Sequence, residues 1–556
     1  MDFHRIVSAA FSGTRFRSVD TGGEMPRLEG GRLLIPPALL QAAAREAIRD
    51  FSFYFRESHL RLMAEAGASP EASENDRLVI RTLLQNAVVS ARGEFALCQD
   101  TGTAIVYGWK DEGAVTGADD GALLSAGIAE GYKQNYLRAS QVASTSFFGE
   151  FNTRDNLPAQ IHIAAAGNTG DAPAYRFLFV AKGAGSSNKT SYFPMTKALL
   201  EKDRFEAFLN EKIRLLGTAA CPPYRLAVVV GGLSPELNLE VLKLATTEIL
   251  DSAPYFAEGE DEALSRSMGW LRRDRYWEDR VSAIARESGL GAQFGGRALA
   301  LDARVLRMPR HAGACPVSIG VSCSAHRNIL AVIDESGLRI ESMETNPGKF
   351  LEMITPRDKP VSLETGTGTQ SIPAVDLNRP IPEILSDLTR FKPGDKVLLS
   401  GKLLVARDAA HLKWHELLAE GKELPGYLMR HPIYYAGPAE TPPDRPIGSL
   451  GPTTAQRMDI YAEEFMSRGA SLITLAKGNR TKDWTEACRR YGGFYLGTIG
   501  GAAAILAEEN VSASEVIDYP ELGMEAVRLI EVRDLLAFVI TDDKGSDLYA
   551  DMVRGS

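Results

Sequence analysis

Three of the five cysteines stand where loops meet strands or helices, beside Gly, Pro or polar residues: Cys98 in LCQDTGT, Cys221 in AACPPYR and Cys315 in HAGACPVSIGVSC. A lone cysteine is ordinarily a small buried hydrophobe, and Cys488, in the amphipathic EACRRYGG, fits that description. Cys98 does not, because the polar pair Gln99 and Asp100 follows it at once. Cys323 comes eight residues after Cys315. The long separations among Cys98, Cys221 and Cys315 exclude a local zinc knuckle, yet they allow three loops to converge on one cluster.

Two further motifs are weaker. GAGSSNKT, from Gly183 to Thr190, follows a strand pattern and nearly matches the phosphate loop, but Asn188 replaces the glycine at which the backbone must wrap a phosphate. A glycine-rich loop can still offer backbone N–H groups to an anion such as a carboxylate. His411 and His415 in HLKWH share one helical face. The metalloprotease pattern needs Glu where Leu412 stands, and nothing nearby supplies a third ligand, so an amphipathic helix is the better reading.

The elements that must position these groups alternate. Apolar residues at helical spacing predict one helix over 36–66, with Pro37 in its first turn and Gly67 as its stop. A second helix is expected over SENDRLVIRTLLQNAVVSARG, capped by Ser73 or Asn75 and stopped by Gly93. Strands are expected after ALCQDTG and at QIHIAAA, YRFLFVAKG, YRLAVVVGG and SIGVSCSA, with helices at FPMTKALLEKDRFEAFLNEKIRLLG and ELNLEVLKLATTEIL. Residues 343–373 lose this periodicity and concentrate Pro, Gly, Thr and Ser. The fold class read from the pattern is therefore α/β in two domains: a larger mixed α/β unit over 1–342, a linker over 343–373, and a smaller α/β unit over 374–556.

Composition bounds the function. The chain has 556 residues, 44% of them hydrophobic and 24% charged, which is globular. Its 62 basic and 72 acidic residues leave a net charge of -10, without the basic excess of a nucleic-acid binder. No apolar run reaches the roughly 18 residues that span a bilayer. MDFHRIVSAAFSGTRFRSVD has no apolar core for a secretory signal; its arginines suit a transit peptide and Asp2 opposes one. Sparse cysteines point to a reducing compartment.

ALCQDTGTA, KGAGSSNKT, GLGAQFGG, PRHAGACPVSIGVSCSAHR, LLVARDAAH, IGSLGPTTAQRMD and LAKGNR, in this order over about residues 36–550, resemble the class I fumarate hydratases, the iron–sulfur hydro-lyases. The resemblance implies reversible hydration of fumarate to (S)-malate. It also implies a [4Fe-4S] cluster held by Cys98, Cys221 and Cys315, with one iron left open to act as a Lewis acid. Gln99, Arg138, Gly185, Arg407, Arg457 and Lys477 match substrate-binding positions, and arginine suits a dicarboxylate because its planar fork binds carboxylates bidentately. Thr453 and Asp100 match the acid–base positions; a threonine hydroxyl needs an activating partner, for which Lys477 is the candidate. The resemblance further implies oxygen sensitivity, a homodimer, a C-terminal domain closing over the cluster domain, and a cytoplasmic enzyme, or a mitochondrial one in a eukaryote. Relatives acting on mesaconate or tartrate share much of the pattern, and a few pocket side chains decide between such substrates; Leu301 in GGRALALD is a flag on that choice. A cluster-bearing sensor without turnover would lack the clamps or the acid–base pair, and all of them are present.

Overall fold

The structure is a computed structural model that describes residues 3–167, 172–354 and 372–554. Its N-terminal half is organised by strands whose apolar residues alternate between two faces, because successive side chains on a strand point in opposite directions. In Thr103–Asp111, Tyr175–Lys182 and Arg327–Asp334, which are neighbours in a six-stranded sheet, one parity supplies Val106, Phe177, Phe179, Ile329 and Ala331. These pack on the helices Ala38–Phe53 and Asp120–Gln134. The other parity supplies Ile105, Tyr107, Leu178, Val180, Leu330 and Val332, which face a second sheet and the helix Pro235–Ala245.

That second sheet has five strands, ordered Ser191–Met195, Cys315–Ser322, Tyr224–Gly232, Ala300–Arg310 and Arg272–Arg273. Ala227 and Val229 turn toward the first sheet. Leu226, Val228 and Val230 turn outward with Val317, Ile319 and Val321, under the helices Lys202–Arg214 and Arg275–Glu287.

The helix expected over 36–66 is two helices, Ala38–Phe53 and Glu57–Ala68. The break has a tertiary cause. Phe55 O accepts from Glu344 N at 2.9 Å, and Arg56 grips both carboxylate oxygens of Glu341 at 2.6 and 2.7 Å. The next helix, Glu74–Ser90, starts at Ser73, whose side chain and that of Asp76 cap each other's backbone N–H groups.

The strands after residue 373 form a seven-stranded sheet. Within it Lys396–Val405, Ile433–Tyr434, Ile473–Ala476 and Phe494–Gly497 run parallel in that order. The 15-residue strand Val527–Thr541 then pairs antiparallel with the last and the first of them, closing a ring. Among the described residues, closure leaves only Ala374–Asp376 and Val511–Asp518, each paired on one side, as edge strands of this sheet. The ring's core continues into the first half, since Val79, Ile80, Leu83 and Leu84 pack in the same apolar cluster as Leu399, Leu404, Ala504 and Phe538. Of the stretch 343–373, Gly348–Ile354 is a helix with Phe350 and Leu351 buried in that cluster, and residues 355–371 lie outside the described residues. Among the described residues no helix is long and apolar enough to cross a membrane.

Candidate active site

The carboxyl ends of parallel strands collect ligands, because loops and exposed backbone groups converge there. In the ring, Arg407 follows Val405, Gly437 follows Tyr434, Lys477 follows Ala476 and Gly500 follows Gly497. The last three are each met by a residue of the N-terminal half. Arg138 Nη1 donates to Gly437 O at 3.0 Å, and Lys477 Nζ lies 2.7 Å from Cys221 Sγ. Gln293 holds Gly500 through both its N–H and its carbonyl, at 2.8 and 2.9 Å. Gly500 must lack a side chain, because a Cβ would lie 2.4 Å from Cys221 Sγ.

Cys98 precedes the strand Thr103–Asp111, and Cys221, in a left-handed conformation (φ 61°), precedes Tyr224–Gly232. The third thiol at this place is Cys323. It lies within electrostatic reach of both, and the neighbouring Ser324 N donates to Cys221 O at 3.0 Å. Cys315, expected there, is instead wholly buried in the outward apolar layer with Val317, Ile319 and Val321. The correction has a plain cause: Cys315 opens the strand Cys315–Ser322 on its apolar parity, whereas Cys323 is the first residue beyond the strand and is free to turn.

Burial pushes the Cys98 thiol up and the Cys221 thiol up to about 12, against the opposing pull of Arg327 on the first and of Lys477 on both. Burial also disfavours charge on Lys477, but the sulfurs of Cys221 and Cys98 outweigh it and raise its pKa, so Lys477 is an ammonium. Among the described residues, no three His, Cys, Asp or Glu side chains are close enough to hold one metal ion.

Asp100 Oδ1 lies 2.9 Å from Arg138 Nη2, and Asp100 Oδ2 accepts from Ala184 N at 2.9 Å. Burial would push this carboxyl up, but Arg138, Arg327, Lys477 and the Ala184 N–H outweigh it and hold it at about 2. Burial lowers the pKa of Arg138, and Arg407 adds to this, while Asp100 acts in the other direction; a guanidinium stays protonated regardless, so the pair is ionic. One backbone N–H of the GAGSSNKT loop, that of Ala184, is therefore given to the Asp100 carboxylate. At Gly183 a Cβ would come within 2.7 Å of Asp100 Oδ2, and at Gly185 it would lie 3.8 Å from Lys477 Nζ.

Gln99 is buried, with Nε2 donating to Pro452 O at 3.2 Å, which sets the Cys98 loop against the residue before Thr453. Thr453 is half-buried; its N donates to Tyr435 O at 2.8 Å and its O accepts from Lys477 N at 3.1 Å. Among the described residues the Thr453 hydroxyl has no hydrogen-bond partner, and the Lys477 side chain goes to Cys221. Arg407 holds Glu525 at 2.5 Å, while Arg457 holds Asp408 at 2.8 Å. Thus Arg138, Arg407 and Gly437 form one corner, with a Cβ at Gly437 3.4 Å from Arg407 Nη1. In HLKWH, His411 Nδ1 donates to Arg407 O at 2.9 Å and burial lowers its pKa to about 4, while His415 pairs with Glu464. These two do not form a metal pair.

Cys323 and Arg327 are absent from the sequence expectation. Arg327 is buried within reach of Cys98 and Asp100, with Nη1 unpartnered. The signal for Cys323 was the period-two run CPVSIGV, which places Cys315 among the core residues. Arg327 closes the motif PRHAGACPVSIGVSCSAHR but was not singled out within it.

A family model described as Fumarate hydratase (Fumerase) matches residues 41–332, and one described as Fumarase C-terminus matches residues 337–552. The chain is similar to Fumarate hydratase 2 of Leishmania major, with 47% identity over 518 residues, 93% of this chain and 88% of that protein. It is similar to Fumarate hydratase class I, anaerobic, of Escherichia coli strain K12, with 47% identity over 522 residues, 94% of this chain and 91% of that protein. Fumarate hydratase 1, mitochondrial, of Leishmania major shares 42% over 536 residues, 96% of this chain and 92% of that protein.

Proposed function

The chain belongs to the fumarate hydratase family, and from that premise we propose that it interconverts fumarate and (S)-malate, using a [4Fe-4S] cluster held by Cys98, Cys221 and Cys323. The observation that carries this reading is the 2.7 Å contact of Lys477 Nζ with Cys221 Sγ, which sets the cation-bearing strand ends of the ring against the thiol turns. Three thiols on three turns, none in a disulfide, are a donor set that fits such a cluster. Each thiolate would bind its own iron, so the donors need not crowd round a single ion. When bound, the cluster supplies a Lewis-acidic iron without a protein ligand.

The chain's own residues account for the rest. Arg138, Arg407 and Arg457 are the arginines that receive the carboxylates of a small dicarboxylate, with Gln99, Lys477 and the Gly185 backbone completing the cradle. Asp100, ionised at neutral pH, accepts a proton at the oxygen side. The Thr453 hydroxyl, unpartnered on a backbone pinned to Tyr435 and Lys477, moves the proton at carbon. Two functional units, 1–342 and 374–556 joined through 343–373, close on the substrate together. The working form is a homodimer. A reducing compartment suits five unpaired thiols, so we assign the cytoplasm, with the mitochondrion as the eukaryotic counterpart.

Anaerobic purification, a visible spectrum and a panel of fumarate, malate, mesaconate and tartrate test this reading. The expected result is a brown protein that turns over fumarate and malate and loses activity in air. Turnover of mesaconate or tartrate with none of fumarate would overturn the substrate assignment.

A further inference from the structure

The turn that carries Cys323 is pinned from two directions. Ser324 N donates to Cys221 O at 3.0 Å, and Ser324 O accepts from His59 Nε2 at 2.9 Å. Across the turn, His326 Nδ1 pairs with Ser322 Oγ at 2.8 Å and His326 Nε2 accepts from Asn328 Nδ2 at 2.9 Å. Asn328 Oδ1 in turn accepts from Arg56, the residue that also grips Glu341. Arg56 and His59 both belong to the start of the helix Glu57–Ala68, so one helix end reaches both sides of the turn.

His59 is fully buried, packed at a tilt between Phe55 and His326 at ring separations of 5.0 and 5.1 Å, and its Nδ1 has no partner. A carbonyl oxygen only accepts, so the hydrogen resides on Nε2 and the ring is a neutral donor. Burial and the nearby Arg225 disfavour the charged form in keeping with this. A neutral, wholly buried imidazole with a single bond to a backbone carbonyl has one structural consequence: it fixes that carbonyl.

We propose that His59 is the positioning residue for Cys323, holding the Ser324 carbonyl so that the Cys323 thiol stays aimed toward Cys98 and Cys221. The proposal rests on the reading of Cys323 as a cluster ligand. It gives that ligand an outer support of the kind that orients metal-binding side chains. Since Ser324 N is already tied to Cys221, loss of the His59 bond frees one end of the turn and leaves the strands intact.

The test compares His59→Gln, whose amide keeps an N–H donor, with His59→Met, which has similar length and no donor, in the full chain. In protein without the cluster, iodoacetamide labelling of each cysteine is followed by mass spectrometry. In protein loaded anaerobically with iron and sulfide, iron release to a chelator is timed. In His59→Met, Cys323 labelling and iron release should rise about five- to tenfold, as expected for local opening after loss of one hydrogen bond. Cys98 and Cys488 labelling should not change, and His59→Gln should match the parent. Should His59→Met not fold, His59→Asn, whose amide stops one carbon short, decides by the same rates. Unchanged Cys323 labelling, or equal increases at all cysteines, would overturn the proposal. If the parent takes up no cluster while Cys323 labelling responds as expected, the positioning role stands and the cluster reading falls.

Discussion

The two sides of the site are built on different principles. On the N-terminal side the reactive groups sit on turns before or after strands, and each turn is tied by backbone bonds to another element, as Cys221 O is to Ser324 N. On the ring side they stand at the carboxyl ends of parallel strands, where strand direction alone brings Arg407, Gly437, Lys477 and Gly500 to one rim. Soft donors thus come from pinned turns, while the rigid rim adds the cations Arg407 and Lys477 to Arg138 and Arg327 of the N-terminal half. The difference teaches where each half is fragile: a thiol is misplaced by loosening one turn, whereas a rim residue is misplaced only by opening the ring.

The sharpest way to break this comparison is at the two cysteines flanking one strand. Cys323→Ser should abolish both the cluster absorption and turnover. Cys315→Ser should keep both and lower stability by about 1–3 kcal/mol, because it buries a hydroxyl in an apolar layer; iron analysis and thermal melts read the two effects. The reverse pattern would return Cys315 to the ligand set.

Next in size is the residue proposed to move the proton at carbon. Thr453→Ala should lower kcat by about 10²–10⁴-fold with iron content unchanged. Normal exchange of the substrate's carbon-bound proton with heavy water in this variant would remove Thr453 from the proton-transfer role.

A smaller loss is expected at the corner between the halves. Arg138→Lys keeps the charge and loses the planar fork that reaches Gly437 O and Asp100 together, so kcat/KM should fall about 10–100-fold. Steady-state kinetics on fumarate and malate check this, and an unchanged kcat/KM would show that a point charge suffices.

The smallest effect concerns pH. The carboxyl of Asp100 is depressed to about 2 in the folded protein, below its ordinary value of 3.8. A depressed acid contributes stability that is complete above the unfolded value and is lost as pH falls through the folded one. Asp100→Asn should therefore narrow its stability gap to the parent as pH falls from about 4 to 2 and leave the gap constant from 5 to 7, as acid-unfolding curves would record.

Much of the architecture was legible in the residues. Short apolar runs mark Thr103–Asp111, Tyr175–Lys182 and Tyr224–Gly232, and Ser73, one of the two caps expected, starts the helix Glu74–Ser90, because these signals depend on local geometry alone. The break at Tyr54–Arg56 was not legible, since it is caused by Glu341 and Glu344, far along the chain. Ring closure was equally hidden, because nothing within Val527–Thr541 says which three strands its edges will meet.

In the site, residue types and motif order determined which loops carry chemistry: the Cys98, Cys221 and Arg407 segments, the Thr453 loop and Lys477. Only the tertiary structure decided that Cys323 rather than Cys315 joins Cys98 and Cys221, that Lys477 reaches Cys221, and that Arg327 stands beside Asp100. The physical reason is that a sequence specifies which face of its own strand a side chain takes, through steric rules acting over a few residues. Which groups meet across two sheets and a ring is set by packing and by charges brought together from distant segments, and those distances exist only once the chain has closed on itself.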